Sequence, residues 1–161
     1  MPVSAEMLRQ AMRNWTTGVS VVTTCAEGLC HGMTVNSFTS VSLDPPLVTV
    51  TLNRNTRTQA LVAKSGVFGV TILREGQEAI SERFASRSTE VIDRLAGLQT
   101  FHLVTGVPLL KEGLVALDCQ VVYAHPLPNS VVYIAEVLAI QQGEPGQPLV
   151  YHNRTYHKLM R

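Results

Sequence analysis

Six short hydroxyl or amide side chains cluster in one part of the chain: Thr34, Asn36, Ser37, Thr39, Ser40 and Ser42. Val35, Phe38 and Val41 lie between them. The surrounding stretch Gly32–Pro46 has no Lys, Arg or Glu, and its one acid, Asp44, stands at the exit. Such side chains, with the backbone N–H groups beside them, can hydrogen-bond the carbonyls and ring nitrogens of a flat, uncharged ring without adding charge. The same composition also suits an ordinary Ser/Thr-rich strand–turn–strand. A second candidate is Asn53-Arg54-Asn55-Thr56-Arg57-Thr58, just before a short helical pattern through Leu61-Val62-Ala63. Asn55 or Thr56 can cap that helix. A helix N-terminus flanked by arginines and hydroxyls is a ready anion site, and a solvated, capped loop is the alternative. Cys25, Cys30 and His31 could begin a metal site, but no second pair follows at zinc-site spacing, so no metal is expected.

These residues must be positioned by a chain of 161 residues, long enough for one domain, 1–161, with a sizeable core. Charged residues are 16% and hydrophobic ones 45%, an apolar balance that leaves surface for a subunit contact. The net charge is +1, with no basic block, which argues against nucleic acid or an acidic membrane surface as partner. No apolar run approaches the roughly 20 residues of a membrane helix, and no export signal is present. The three cysteines, Cys25, Cys30 and Cys119, are therefore expected to be reduced thiols on strands, in the cytoplasm.

Ser4 is placed to cap a first helix, whose Leu8, Ala11, Met12 and Trp15 form a stripe expected to pack on the body of the fold. Val19–Cys25, Cys30–Val35 and Thr39–Leu43 read as strands, the first two joined by a Glu27-Gly28 hairpin. Leu47–Leu52 alternates, with Val48, Val50 and Leu52 on one face. Val67–Leu73 is a strand, Gly76–Ala85 is helical, and Ser86–Leu98 is a second helix or a helix and loop. Phe101–Gly113 is a loop with a short edge strand at Val107–Leu110. Leu114–Ala124 is a long strand. Ser130–Gln141 is apolar on both faces apart from Glu136 and is expected to be buried on both. Leu149–Arg161 holds the closing strands. The whole is mainly β, a closed antiparallel Greek-key barrel with a few appended helices.

The run Gly32–Pro46, with its double proline, resembles the flavin-binding segment of the short-chain flavin reductases, the FMN-binding split barrels that supply reduced flavin to two-component monooxygenases. Trp15–Thr24, Phe68–Leu73, Arg83-Phe84-Ala85, Leu117-Asp118-Cys119, Tyr133–Val137 and Pro148–Tyr151 with Tyr156 resemble the family's other segments in order and spacing. The resemblance implies an NAD(P)H:flavin oxidoreductase that moves hydride from NADH or NADPH to FMN, with FAD possible. It implies a homodimer and a transient flavin-dependent oxygenase partner. It places Thr34, Val35, Asn36 and Ser37 against the ring, with Ser40, Val41 and Ser42 nearby. Asn53, Thr56, Arg57 and Thr58 fall at the ribityl chain and phosphate, and Phe84, with Arg83 and Arg87, closes the phosphate end.

One departure stands out. The family carries a Gly-Asp-His-like turn before the Ser130–Gln141 strand, and its His lies near the nicotinamide. Here the turn reads Pro128-Asn129-Ser130, with Ser130 in place of the His. His125 lies five residues earlier, and His152, Arg154 and Tyr156 are further candidates for lining the nicotinamide pocket. Loss of the His leaves a second reading, a flavin carrier, electron-transfer or sensing protein with poor NAD(P)H turnover. A third, a haem-binding split barrel, would need His31 or His102 as axial ligand.

Overall fold

The β-branched runs fold into one large antiparallel sheet that positions every other element. The computed structural model describes residues 1–86 and 93–161. In chain order the elements are helix α1 (Ala5–Met12), β1 (Thr17–Gly18), β2 (Ser20–Ala26), β3 (Leu29–Val35), β4 (Thr39–Leu43), β5 (Pro46–Asn53), α2 (Arg57–Ser65), β6 (Val67–Ile72) and α3 (Glu78–Ala85). There follow β7 (Thr100–Phe101), β8 (Leu109–Leu110), β9 (Val115–Pro126), β10 (Ser130–Gln142), β11 (Val150–His152) and β12 (Thr155–His157). Seven strands pair in the order β3-β2-β6-β9-β10-β5-β4, β1-β11-β12 form a small second sheet, and β7 pairs with β8.

Alternation sends one face of the large sheet inward. Val22, Val35, Val50, Leu52, Phe68, Val70, Cys119 and Tyr133 meet there in one core, joined by Val62 of α2. A second core, with Val19, Val21, Leu73, Phe84 and Leu149, lies under α3. Gly32 is required where these layers meet: a Cβ there would stand 2.9 Å from the Val22 carbonyl and 3.0 Å from the Phe84 ring. The β2–β3 hairpin turns through Glu27 and Gly28, both at positive φ.

Several expectations change. The sheet is curled but its ladder is not closed: β3 and β4 end the strand order, and no pairing joins them among the described residues. Strand β10 is buried on alternate residues only, and Leu138 and Ile140 reach solvent because nothing in this chain covers its outer face. Helix α1 is capped by Ser4 as expected, but it buries no residue, and Leu8, Met12 and Trp15 are each more than half exposed. Cys25 and Cys30 are not free thiols. The hairpin register sets them directly opposite each other and a disulfide joins them, with Cys30 exposed. Cys119 is a buried thiol, pushed up to about 12 by burial and then by neighbouring Asp118. The proposed second helix at Ser86–Leu98 falls partly on residues 87–92, outside the described residues, as does Arg87. No described helix is long and apolar enough to cross a membrane.

Candidate functional site

A cleft of about 820 Å³ opens beside the hydroxyl-rich segment, between Trp15–Gly18 and Val35–Thr39, with Met12, Ser20 and Ile72 completing its walls. Val35 is buried at the end of β3 and Asn36 is exposed at the cleft rim. Ser37 is fixed to β5: its hydroxyl donates to the Thr51 carbonyl and accepts from the Thr51 N–H, each at 3.1 Å. The Thr17 hydroxyl is buried on the cleft wall and has no hydrogen-bond partner among the described residues. An orphaned buried donor calls for a polar partner from outside the chain, and a flat ring with carbonyl and nitrogen edges supplies one.

Other residues of the segment are committed elsewhere. Thr34 donates to the Ser81 carbonyl of α3 at 2.6 Å, so its hydroxyl ties β3 to α3. Ser40, Val41 and Ser42 lie on edge strand β4, where a register shift between Ser40 and Ser42 leaves Val41 as a bulge, 53% exposed. A separate cavity of about 730 Å³, walled by Arg74, Gln77, Lys111 and Gln142, contains none of these residues.

The anion-binding candidates gather at the start of α2. Thr56 is the N-cap: its hydroxyl accepts from Gln59 N–H at 3.3 Å and donates to the Asn53 carbonyl at 2.7 Å. Asn53 in turn accepts from the Asn55 N–H at 2.9 Å, which shapes the turn. Arg57 is exposed at the first helical position. Thr58 is fully buried, and its hydroxyl shares a 2.8 Å hydrogen bond with His31 Nδ1. The loop hydroxyls thus build the helix terminus, leaving the guanidinium and terminal N–H groups to meet an anion.

Two residues that sequence reasoning missed at this site complete it. Arg94 donates to the carbonyls of Gly32 (2.8 Å), Phe84 (3.0 Å) and Ser86 (2.5 Å), which locks its charge beside β3. Burial and then the charge of Arg57 hold it below its ordinary pKa. His31 is pulled down to about 4 by burial, then Arg94 and Arg57, against an upward pull from Asp93. It is therefore neutral at neutral pH. No ion pair joins Arg57 or Arg94 to a carboxylate among the described residues. A fixed cation, an exposed cation and a helix N-terminus, with no ion pair to either arginine among the described residues, fit a phosphate. His31 had been legible only as a weak metal or haem candidate, and Arg94 lay in a segment without readable periodicity. Phe84 does not close this end: it is fully buried beneath α3, and only its carbonyl reaches the site through Arg94. Arg83 likewise turns away, donating to the carbonyls of Arg94 and Ala96.

The nicotinamide candidates do not converge. Ser130 opens β10 opposite Asn53, the residue that shapes the turn into α2. His152 lies on the small sheet, its Nδ1 2.9 Å from the hydroxyl of Thr16 at the cleft wall. Arg154 is exposed in the β11–β12 turn at positive φ. Tyr156 points to α3, its hydroxyl donating to the Glu82 carboxylate and accepting from the Ser81 hydroxyl at 2.7 Å each, and burial above all raises its phenol to about 12. Pairing of β11 with β1 separates this group from Ser130. His102 Nδ1 bonds the Val107 carbonyl, and no cluster of three or more His, Cys, Asp or Glu suits a metal among the described residues.

Comparison with known proteins matches residues 12–160 to the flavin reductase like domain. An NADH-dependent flavin reductase of Rhodococcus sp is 37% identical over 94% of this chain and 85% of its own length. The reductase component of Thermus thermophilus 4-hydroxyphenylacetate 3-monooxygenase is 33% identical, over 96% of this chain and 97% of that protein. Among solved structures, the styrene monooxygenase flavin reductase of Pseudomonas putida S12 superposes with a TM-score of 0.83 at 35% identity, covering 96% of this chain and 97% of that one.

Proposed function

This chain belongs to the flavin reductase like domain family, and from that premise we propose that it is an NAD(P)H:flavin oxidoreductase. It uses FMN, or FAD, and delivers reduced flavin to a separate flavin-dependent oxygenase. NADH is the donor named for its relatives in Rhodococcus and Methylorubrum. The observation that carries the site is the pairing of an uncharged cleft with a cationic pocket. Val35 borders the cleft, His31 borders the cationic pocket, and the four residue steps from one to the other span about 13 Å of strand at roughly 3.3 Å each. That span suits a ring and a phosphate joined by a ribityl chain.

Asn36, Ser37 and Thr17 border the ring, the first two through backbone and amide groups and Thr17 through its unpartnered hydroxyl. Arg57, Arg94 and the α2 N-terminus hold the phosphate. Flavin supplies the two-electron acceptor, and the protein's part is to orient it and leave one face open to the nicotinamide. No Rossmann glycine motif is present, so the donor is held over that open face. Ser130 stands where the family's His would approach it.

We read residues 1–161 as one reductase domain, a split barrel whose seam is closed by side chains; Val35 of β3 and Val48 of β5 in one core support this. We read the protein as a cytoplasmic homodimer. The uncovered apolar side chains of α1 and of Tyr123, Leu127 and Ile140 on β9–β10 support a subunit contact. The first test is calorimetry: FMN is expected to bind at about one per chain with micromolar affinity or better. Absence of FMN and FAD binding in that range would remove this reading.

A further inference from the structure

We propose that Cys25 and Cys30 form a reversible dithiol–disulfide site that sets how well the neighbouring anion pocket is organised. The inference rests on the reading of that pocket as a phosphate subsite. The two cysteines face each other across the β2–β3 hairpin, with Cys30 exposed and Cys25 half-buried. Only the short Ala26–Leu29 turn separates them, and a disulfide closing so short a loop contributes less to stability than one closing a long loop. An exposed bridge is of the labile, responsive kind.

The hairpin is tied to α2 at three levels. Glu27 pairs with Lys64 at 3.4 Å, Thr24 shares a 3.0 Å hydrogen bond with Ser65, and His31, next to Cys30, bonds Thr58. The last contact lies inside the cationic pocket. The bridge clamps the end of the β2–β3 hairpin, and these contacts carry that clamped segment to the helix that bears Arg57.

The exchange balances with a thiol reductant. A thiolate attacks Sγ of Cys30, the S–S bond breaks and Cys25 leaves as thiolate. A second thiol then attacks the mixed disulfide and releases Cys30. Two thiols become one external disulfide, and two electrons and two protons pass to the cysteines. In the reverse direction a peroxide takes the two electrons, giving the Cys25–Cys30 bond and two waters; dihydroflavin released into oxygenated solution generates peroxide.

The test uses the whole protein. In denaturant the oxidised chain should show one thiol, Cys119 (three cysteines less the bonded two), and three after dithiothreitol, returning to one with hydrogen peroxide. FMN should bind about three- to tenfold more weakly to the reduced form, the size of effect expected from lost preorganisation, while riboflavin, which lacks the phosphate, binds both forms alike. The Cys25→Ser/Cys30→Ser variant should match the reduced form and ignore dithiothreitol. If it fails to fold, the wild-type titration suffices. Equal FMN affinity in both redox states, or failure of peroxide to restore the bond, overturns the proposal. Riboflavin binding as tightly as FMN throughout would show separately that the phosphate reading has failed.

Discussion

Arg57→Ala is expected to weaken FMN binding by roughly ten- to a hundredfold, the value of a charge-assisted hydrogen bond of about 1.5–3 kcal/mol. Riboflavin binding should be nearly unchanged. Arg57 is exposed and makes no ion pair among the described residues, so its loss should leave folding stability within about 0.5 kcal/mol. Arg94→Ala should show the same selectivity together with a fall in stability, because it also strips donors from the carbonyls of Gly32, Phe84 and Ser86. The two arginines sense each other's charge, so their effects should not simply add. Calorimetry with both ligands on both variants decides the matter: equal losses for FMN and riboflavin would mean that this pocket does not read phosphate.

Ser130→His is expected to raise kcat/KM for NADH about tenfold, the value of one added hydrogen bond of roughly 1.4 kcal/mol in the transition state. Flavin affinity should hardly move. A serine offers one small uncharged hydroxyl where the family's imidazole reaches further. Ser130 is half-buried beside Asn53 and alternates with Val131 and Tyr133, which enter the core, so a larger side chain there stays out of the core. His152→Ala is the control, because His152 touches the cleft only through Thr16. A wild type that is slowed by Ser130→His and collapses with His152→Ala would move the nicotinamide site to the small sheet.

Much of the scaffold was legible because it depends on local rules. Ser4 and Thr56 cap their helices, Val48, Val50 and Leu52 alternate into the core, and Glu27-Gly28 turns the hairpin. What the sequence hid depends on the third dimension. Phe84 and Tyr156 looked like site residues, but α3 draws one into the core and bonds the other. The apolar run of β10 was read as buried on both faces, although one chain covers only one. Arg94 carries no local signal at all: one carbonyl of β3 and two at the end of α3 bring it to the anion pocket. The Cys25–Cys30 bridge was missed because composition spoke for reduced thiols, while the cross-strand register decided their pairing.

This cleft is expected to let nicotinamide reduce flavin. Anaerobic mixing of the wild-type protein with NADH and excess FMN tests it most directly, followed at the flavin absorbance band and at the NADH band together. One flavin should be bleached for each NADH consumed, over many turnovers per chain, and Arg57→Ala should require more FMN to reach the same rate. Tight FMN binding with no bleaching by either NADH or NADPH would contradict this expectation and mark the protein as a flavin carrier.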